Sequence, residues 1–136
     1  MNGITLNKLS GISSSKGMTV EWCKGLPGKQ VTFYYRPRGS QFAYHFHKGE
    51  DSSKVPERFF LIAGKVKMLF WNGKETETVT LESGTEMLID PYIYHEAETL
   101  EDVIFAEYRA TPFDEQASDV YSKQDFIEYL SQHQAN

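Results

Sequence analysis

The stretch Tyr44–Gly64, YHFHKGEDSSKVPERFFLIAG, decides how this chain is read. Its first residues alternate aromatic and histidine side chains as a strand does, and residues two apart on a strand share a face, so His45 and His47 project together. The polar run Lys48 to Pro56 breaks that pattern and reads as a loop. Glu57 then opens an apolar run that closes on Gly64. If the loop turns the chain back as a hairpin, the Glu57 carboxylate returns beside the two imidazoles. Neutral imidazole nitrogens bind divalent ions at roughly 2 Å, and a strand-borne pair supplies two positions of a coordination sphere with little backbone adjustment. His95 follows IDPYIY at the end of a further strand, so three of the four histidines fall where one cluster can gather them.

Outward from that stretch, the segments 18–22, 30–35, 41–47, 58–64, 65–71, 77–81, 86–90 and 102–110 are rich in β-branched and aromatic residues. Breakers separate them: Gly25 to Gly28, Pro37 to Gly39, Asn72-Gly73 and Ser83-Gly84. About eight short strands at regular spacing predict an all-β sandwich or small barrel. Within KVKMLF, Val66, Met68 and Phe70 share one face, as in a half-buried strand, and Asn72-Gly73 signals a hairpin. The last residues change period. Ser122 is an N-cap with Asp125 three residues on, and Phe126, Tyr129 and Leu130 recur at helical spacing, which predicts a helix over about 122–133.

The histidine and glycine spacing resembles the two sequence motifs of the cupin superfamily. The first is matched by Gly39, His45, His47, Glu57 and Gly64, and the second by Gly84, Pro91 and His95. The resemblance covers roughly residues 29 to 110, with core motifs at 39–95. It implies a double-stranded β-helix, or jelly-roll barrel, whose mouth holds the site, with the whole chain 1–136 as one such domain. Three departures stand out. The gap from His47 to Glu57 is about five residues longer than the motif, which leaves Asp51 as the alternative acidic ligand. Glu57 is preferred because it keeps the six-residue distance to Gly64, whereas Glu50 and Asp51 lie in a solvated loop. Tyr92 stands at the motif's glycine and Thr99 at its asparagine.

Three functional readings follow. In the first, His45, His47, Glu57 and His95 hold a divalent ion (Mn, Fe, Ni or Zn) that polarises a carbonyl or hydroxyl of a small, carbohydrate-like substrate for isomerisation, epimerisation or oxygen chemistry. The second comes from a further resemblance, of SSKGMTVEW, HFHKG and VYSKQDFIEYL, to the sugar-nucleotide ketoisomerase and epimerase branch of the cupins. It implies a metal-free site in which His45 or His47 removes a proton next to a ketone while a tyrosine assists; Lys16 replaces the arginine expected in its early motif. Tyr94, adjacent to His95, is the tyrosine assigned a catalytic place. In the third the pocket binds a small ligand and turns nothing over.

Bulk properties exclude other classes. In the 136-residue chain, 40% hydrophobic and 14% aromatic content suffice for a sizeable core, and a net charge of −5 with scattered basic residues lacks a nucleic-acid footprint. No run approaches the roughly 18 apolar residues of a membrane span, and the start has no signal-peptide pattern. The expectation is a cytoplasmic protein with no membrane or nucleic-acid partner. The single cysteine, Cys23, is read as a buried thiol beside Trp22. Arg36, Arg38 and Arg109 are candidates for an anionic substrate, with solvated surface as their default. Apolar residues on both faces of RFFLIAG and VIFAEY call for cover on an outer face, by the terminal helix or by a second subunit, and a homodimer is expected.

Overall fold

The computed structural model describes residues 1–133. In chain order its strands are β1 (Ile4–Lys8), β2 (Ile12–Ser14), β3 (Gly17–Thr19), β4 (Gln30–Arg36), β5 (Gln41–Phe46), β6 (Glu57–Ala63), β7 (Lys65–Trp71), β8 (Thr76–Glu82), β9 (Thr85–Ile89), β10 (Tyr94–Thr99), β11 (Val103–Arg109) and β12 (Tyr121–Ser122), followed by helix α1 (Lys123–His133). Ten of these strands form two five-stranded antiparallel sheets, ordered β1-β9-β6-β11-β4 and β12-β5-β10-β7-β8, while β2 and β3 form a separate hairpin. The two sheets face each other across a core that includes Leu61, Val66, Met68, Phe70, Met87, Ile89 and Phe105. This is the expected jelly roll, with one refinement: among the described residues no strand bonds to both sheets, so the barrel is not closed by hydrogen bonds.

The alternation of KVKMLF lands as its period requires, with Val66, Met68 and Phe70 buried and Lys65 and Lys67 exposed. The hairpin at Asn72-Gly73 joins β7 to β8, and the Asn72 carboxamide oxygen accepts from the backbone N–H groups of Lys74 and Glu75 at 2.8 and 2.7 Å. Gly64, with φ +90°, makes the turn from β6 to β7; a Cβ there would stand 2.2 Å from the Asp102 carbonyl oxygen, so only glycine fits. Tyr92 adopts φ +62°, the left-handed conformation suited to the glycine of the motif. Its N–H donates to the His47 carbonyl at 2.8 Å, and its ring packs against Phe46 and Tyr129.

Four strands, β1, β2, β10 and β12, lie outside the segments marked in the sequence. β2 and β12 are only three and two residues long, ITLNK of β1 alternates only over Ile4 and Leu6, and YHEAET of β10 carries few large apolar residues. β10 is nevertheless interior to its sheet, between β5 and β7, so His95 begins this strand rather than ending the previous one. Conversely, only part of 18–22 is strand; Trp22 instead packs on Phe60 at 5.8 Å and donates to Glu86 at 2.8 Å. The Cys23 thiol next to it is pushed up to about 11 by burial, which leaves little thiolate at neutral pH.

At the C-terminus, α1 starts with a reciprocal cap: Ser122 N–H donates to Asp125 Oδ2 at 2.9 Å, and Asp125 N–H donates to Ser122 Oγ at 3.1 Å. Phe126 is buried with Phe46 and Tyr94, and Trp71, Tyr129 and Leu130 pack around them. The helix thereby covers the outer face of the second sheet.

Candidate active site

His45 and His95 are register partners on neighbouring strands β5 and β10. Just before His45 the strand bulges, with Ala43 and Tyr44 at φ +73° and +58° and the register slipping between His95 and Glu96. Such a bulge re-aims the side chains that follow it. The three rings of His45, His47 and His95 stand with centroids 4.7 to 5.4 Å apart. Their nearest ligand atoms all lie within 4.8 Å of one another. Glu57, the first residue of β6, reaches the cluster from the opposite sheet: its Oε2 is 3.1 Å from His47 Nε2 and its Oε1 is 3.5 Å from His95 Nε2. The structure thus brings His45, His47, Glu57 and His95 together on the wall of one cavity of about 250 Å³.

Neighbouring groups orient the rings. His47 Nδ1 donates to the Asp119 carbonyl and His95 Nδ1 to the Ile93 carbonyl, since a carbonyl oxygen only accepts. Both Nε2 atoms therefore face the cluster. The Asp119 carboxylate accepts from the backbone N–H groups of Lys48, Gly49 and Asp51 at 2.8, 2.9 and 3.1 Å, which pins the loop that follows His47. His45 has no hydrogen-bond partner on either ring nitrogen among the described residues.

Four further residues complete the site. Lys54, from the short 3-10 turn Ser52–Lys54, places its ammonium 2.6 Å from Glu57 Oε2 and 2.8 Å from Glu107 Oε2. Tyr34 on β4 donates to Glu107 Oε1 at 2.8 Å and lines the same cavity. With Asp119, these are the groups the sequence reading misses. Lys54 hides in a run that reads as a solvated loop, and Tyr34 is one aromatic among many. Glu107 carried a signal: in VIFAEYR it shares a face with Phe105, so a carboxylate points into the core.

Tyr94 is corrected. It sits on the opposite face of β10 from His95, packed against Phe126 under α1, where it donates to Glu96 at 2.6 Å. Adjacent strand residues point to opposite faces, so proximity in sequence to His95 places Tyr94 outside the cavity. Asp51 accepts from Arg109 at 2.7 Å and caps Ser53, so this pair holds the loop and leaves Glu57 to the histidines. Arg109 is buried in that pair and Arg38 is exposed, whereas Arg36 lies on the cavity wall, its guanidinium 5.2 Å from the centre of the Tyr34 ring.

The electrostatics divide the histidines. Burial, with the neighbouring imidazoles, pushes His45 down to about 3, and burial pushes His95 down to about 4 despite Glu57. Burial also works against charge on His47, but the Glu57 carboxylate more than offsets it and holds His47 above its ordinary value. Burial would raise Glu57; His47 and Lys54 outweigh it and hold the carboxyl well below the usual range. These shifts set a stability profile. His45 and His95 have folded values below the unfolded 6.5, so between about pH 4 and 6.5 the unfolded chain binds protons the folded chain refuses. Stability therefore rises with pH across that window and falls on acidification, by up to about 1.4 kcal/mol per pH unit for each histidine. His47 is raised instead, so near pH 6.5 the folded chain keeps a proton that the unfolded chain begins to lose, and its contribution opposes the slope at that end of the window. Thermal melts should drop from pH 6.5 to 4.5, and the double variant His45→Asn/His95→Asn should flatten the drop; an unchanged slope would show that these imidazoles are not buried in neutral form.

A divalent ion is one candidate occupant of this donor set. Three imidazoles and a carboxylate converge, as such an ion requires, but Glu57 Oε2 is already taken by the Lys54 ammonium. An ion drawing on that carboxylate would meet a fixed positive charge beside it. The full ligand set of His45, His47, Glu57 and His95 therefore does not fit a divalent ion while Lys54 holds Glu57.

No protein-family model and no curated protein matches the chain in sequence. Solved structures do match in shape. A variant of the 3,4-ketoisomerase QdtA from Thermoanaerobacterium thermosaccharolyticum, in complex with TDP-4-keto-6-deoxyglucose, superposes with a TM-score of 0.78 at 17% identity over 100% of this chain and 99% of its own. The TDP-quinovose 3,4-ketoisomerase WlaRB from Campylobacter jejuni gives 0.76 at 15% identity, covering 94% and 99%. The dTDP-4-dehydrorhamnose 3,5-epimerase from Sulfolobus tokodaii gives 0.66 at 16%, covering 85% and 74%. These likenesses establish the fold, the cupin-type jelly roll.

Proposed function

We propose that this protein is a metal-free isomerase of a sugar nucleotide, moving a ketone along the sugar ring by proton transfer. The observation that carries the reading is a neutral imidazole, His45, left without a partner in a cavity that also presents a tyrosine. The shape neighbours that act on TDP-sugars support the substrate class. A cavity of about 250 Å³ suits one sugar ring, with the nucleotide lying outside.

In this reading His45 takes the proton from the carbon beside the ketone, while the Tyr34 hydroxyl turns its single proton from Glu107 to the ketone oxygen and stabilises the developing enediolate. The neighbouring hydroxyl proton passes to the former ketone oxygen, and His45, after its proton exchanges with solvent, delivers a proton to the former carbonyl carbon. No atom is gained or lost. Delivery to the opposite face of the original carbon would invert it instead, which is the epimerase outcome. Glu57, held by Lys54, fixes the His47 ring behind this reaction, and Arg36 at the cavity wall supplies positive charge for a diphosphate. The test is solvent deuterium exchange into TDP-4-keto-6-deoxyglucose followed by NMR, with the protein freed of metal. Deuterium at a single ring carbon with a shifted ketone is expected; no exchange with this or related keto-sugar nucleotides ends the reading.

The same proposal includes a homodimer. On the outer face of the first sheet, the edge strand β4 exposes Val31, Phe33 and Tyr35 at 52%, 54% and 67%. Phe60 and Ile62 of β6 and Ile104 of β11 extend that face, which α1 does not cover. A second copy would bury it. Sedimentation equilibrium should give twice the chain mass, and Phe33→Glu should return a monomer. As for location, among the described residues no helix is long and apolar enough to cross a membrane.

A further inference from the structure

We infer that the Lys54 ammonium is the resident cation of the histidine cluster, and that removing it converts His45, His47, Glu57 and His95 into a divalent-metal site. The loop between His47 and Glu57 spans nine residues, and it is this loop that carries the 3-10 turn delivering Lys54. The ammonium takes the Glu57 oxygen that also faces His47, and ties it to Glu107. Meanwhile Glu57 Oε1, on a side chain only 2% exposed, has no hydrogen-bond partner, with His95 Nε2 3.5 Å away, and the buried His47 Nε2 has only the Glu57 Oε2 that the ammonium also holds, at 3.1 Å. Buried atoms of this kind are normally satisfied, and these belong to the donor types that a small divalent ion accepts.

A fixed ammonium and a mobile divalent ion compete for one carboxylate. Like charge beside the imidazoles disfavours the ion in the wild-type protein. With the ammonium gone, the buried carboxylates lack a counter-charge and the same donors favour a metal. The inference does not rest on the sugar-nucleotide reading, because its readout needs no substrate.

The test is titration of metal-free protein, without a histidine tag, by Co²⁺, read by visible ligand-field absorption and calorimetry. Lys54→Met should bind one Co²⁺ per chain at least about 100-fold more tightly than the wild type. Adding His95→Ala to that variant should abolish the absorption band. Lys54→Arg, which retains the charge, should exclude the ion as the wild type does. Should Lys54→Met be unstable alone, the double variant Lys54→Met/Glu107→Gln removes one carboxylate with the ammonium, and Co²⁺ should restore folding in either. Stoichiometric tight binding of Co²⁺ by the wild type would overturn the inference. So would a folded Lys54→Met that binds no more tightly, or variants that Co²⁺ fails to rescue.

Discussion

Replacing His45 by asparagine should lower deuterium exchange into TDP-4-keto-6-deoxyglucose by about 10²- to 10⁴-fold, the range that a positioned general base supplies. The expectation follows from hydrogen bonding. His47 spends Nδ1 on the Asp119 carbonyl and turns Nε2 to Glu57, and His95 spends Nδ1 on Ile93, so His45 is the imidazole left free to face a substrate. Its depressed value of about 3 keeps it unprotonated throughout the neutral range. The acid limb of the rate should therefore not report His45; it should follow the His47–Glu57 pair. Asparagine keeps much of the ring's volume and adds no buried charge, so the melting temperature at pH 7.5 should change little. Full exchange activity in His45→Asn, with loss in His47→Asn, would transfer the role of base to His47.

Truncating Phe126 to alanine should cost about 3–5 kcal/mol in urea unfolding at neutral pH. Its ring is fully buried, as no other described residue of α1 is, and meets Phe46, Trp71 and Tyr94 at centroid distances of 4.9, 5.0 and 6.2 Å. The loss should reach the site as well. Ser122 of β12, immediately before the helix, pairs with His45 of β5, so loosening α1 releases the strand that borders the base. Exchange activity should fall even at temperatures where the variant remains folded. A cost below about 1 kcal/mol would mean that the helix does not hold this face.

Much of the architecture was legible because it follows from short-range rules. The glycines at 39, 64 and 84 all adopt positive φ, so the spacing that suggested the jelly roll marked real turns. The Ser122 cap and the apolar positions of α1 lie within a few residues of one another and needed no tertiary knowledge. β10 was not legible, since it is held by two neighbouring strands rather than by its own composition. The same limit explains Tyr94: alternation along β10 puts it under the helix, and alternation is visible only once the strand is known.

By itself the sequence determined the strand-rich class, the terminal helix, and the candidacy of His45, His47, Glu57 and His95 as one cluster. Only the tertiary structure decided what surrounds that cluster. Lys54, Glu107, Tyr34 and Asp119 come from segments far apart in the chain, and the charge at a buried site depends on every group within a few ångströms of it, whatever the distance along the backbone. Spacing can nominate ligands, but the presence of an ammonium on their carboxylate is a fact of packing.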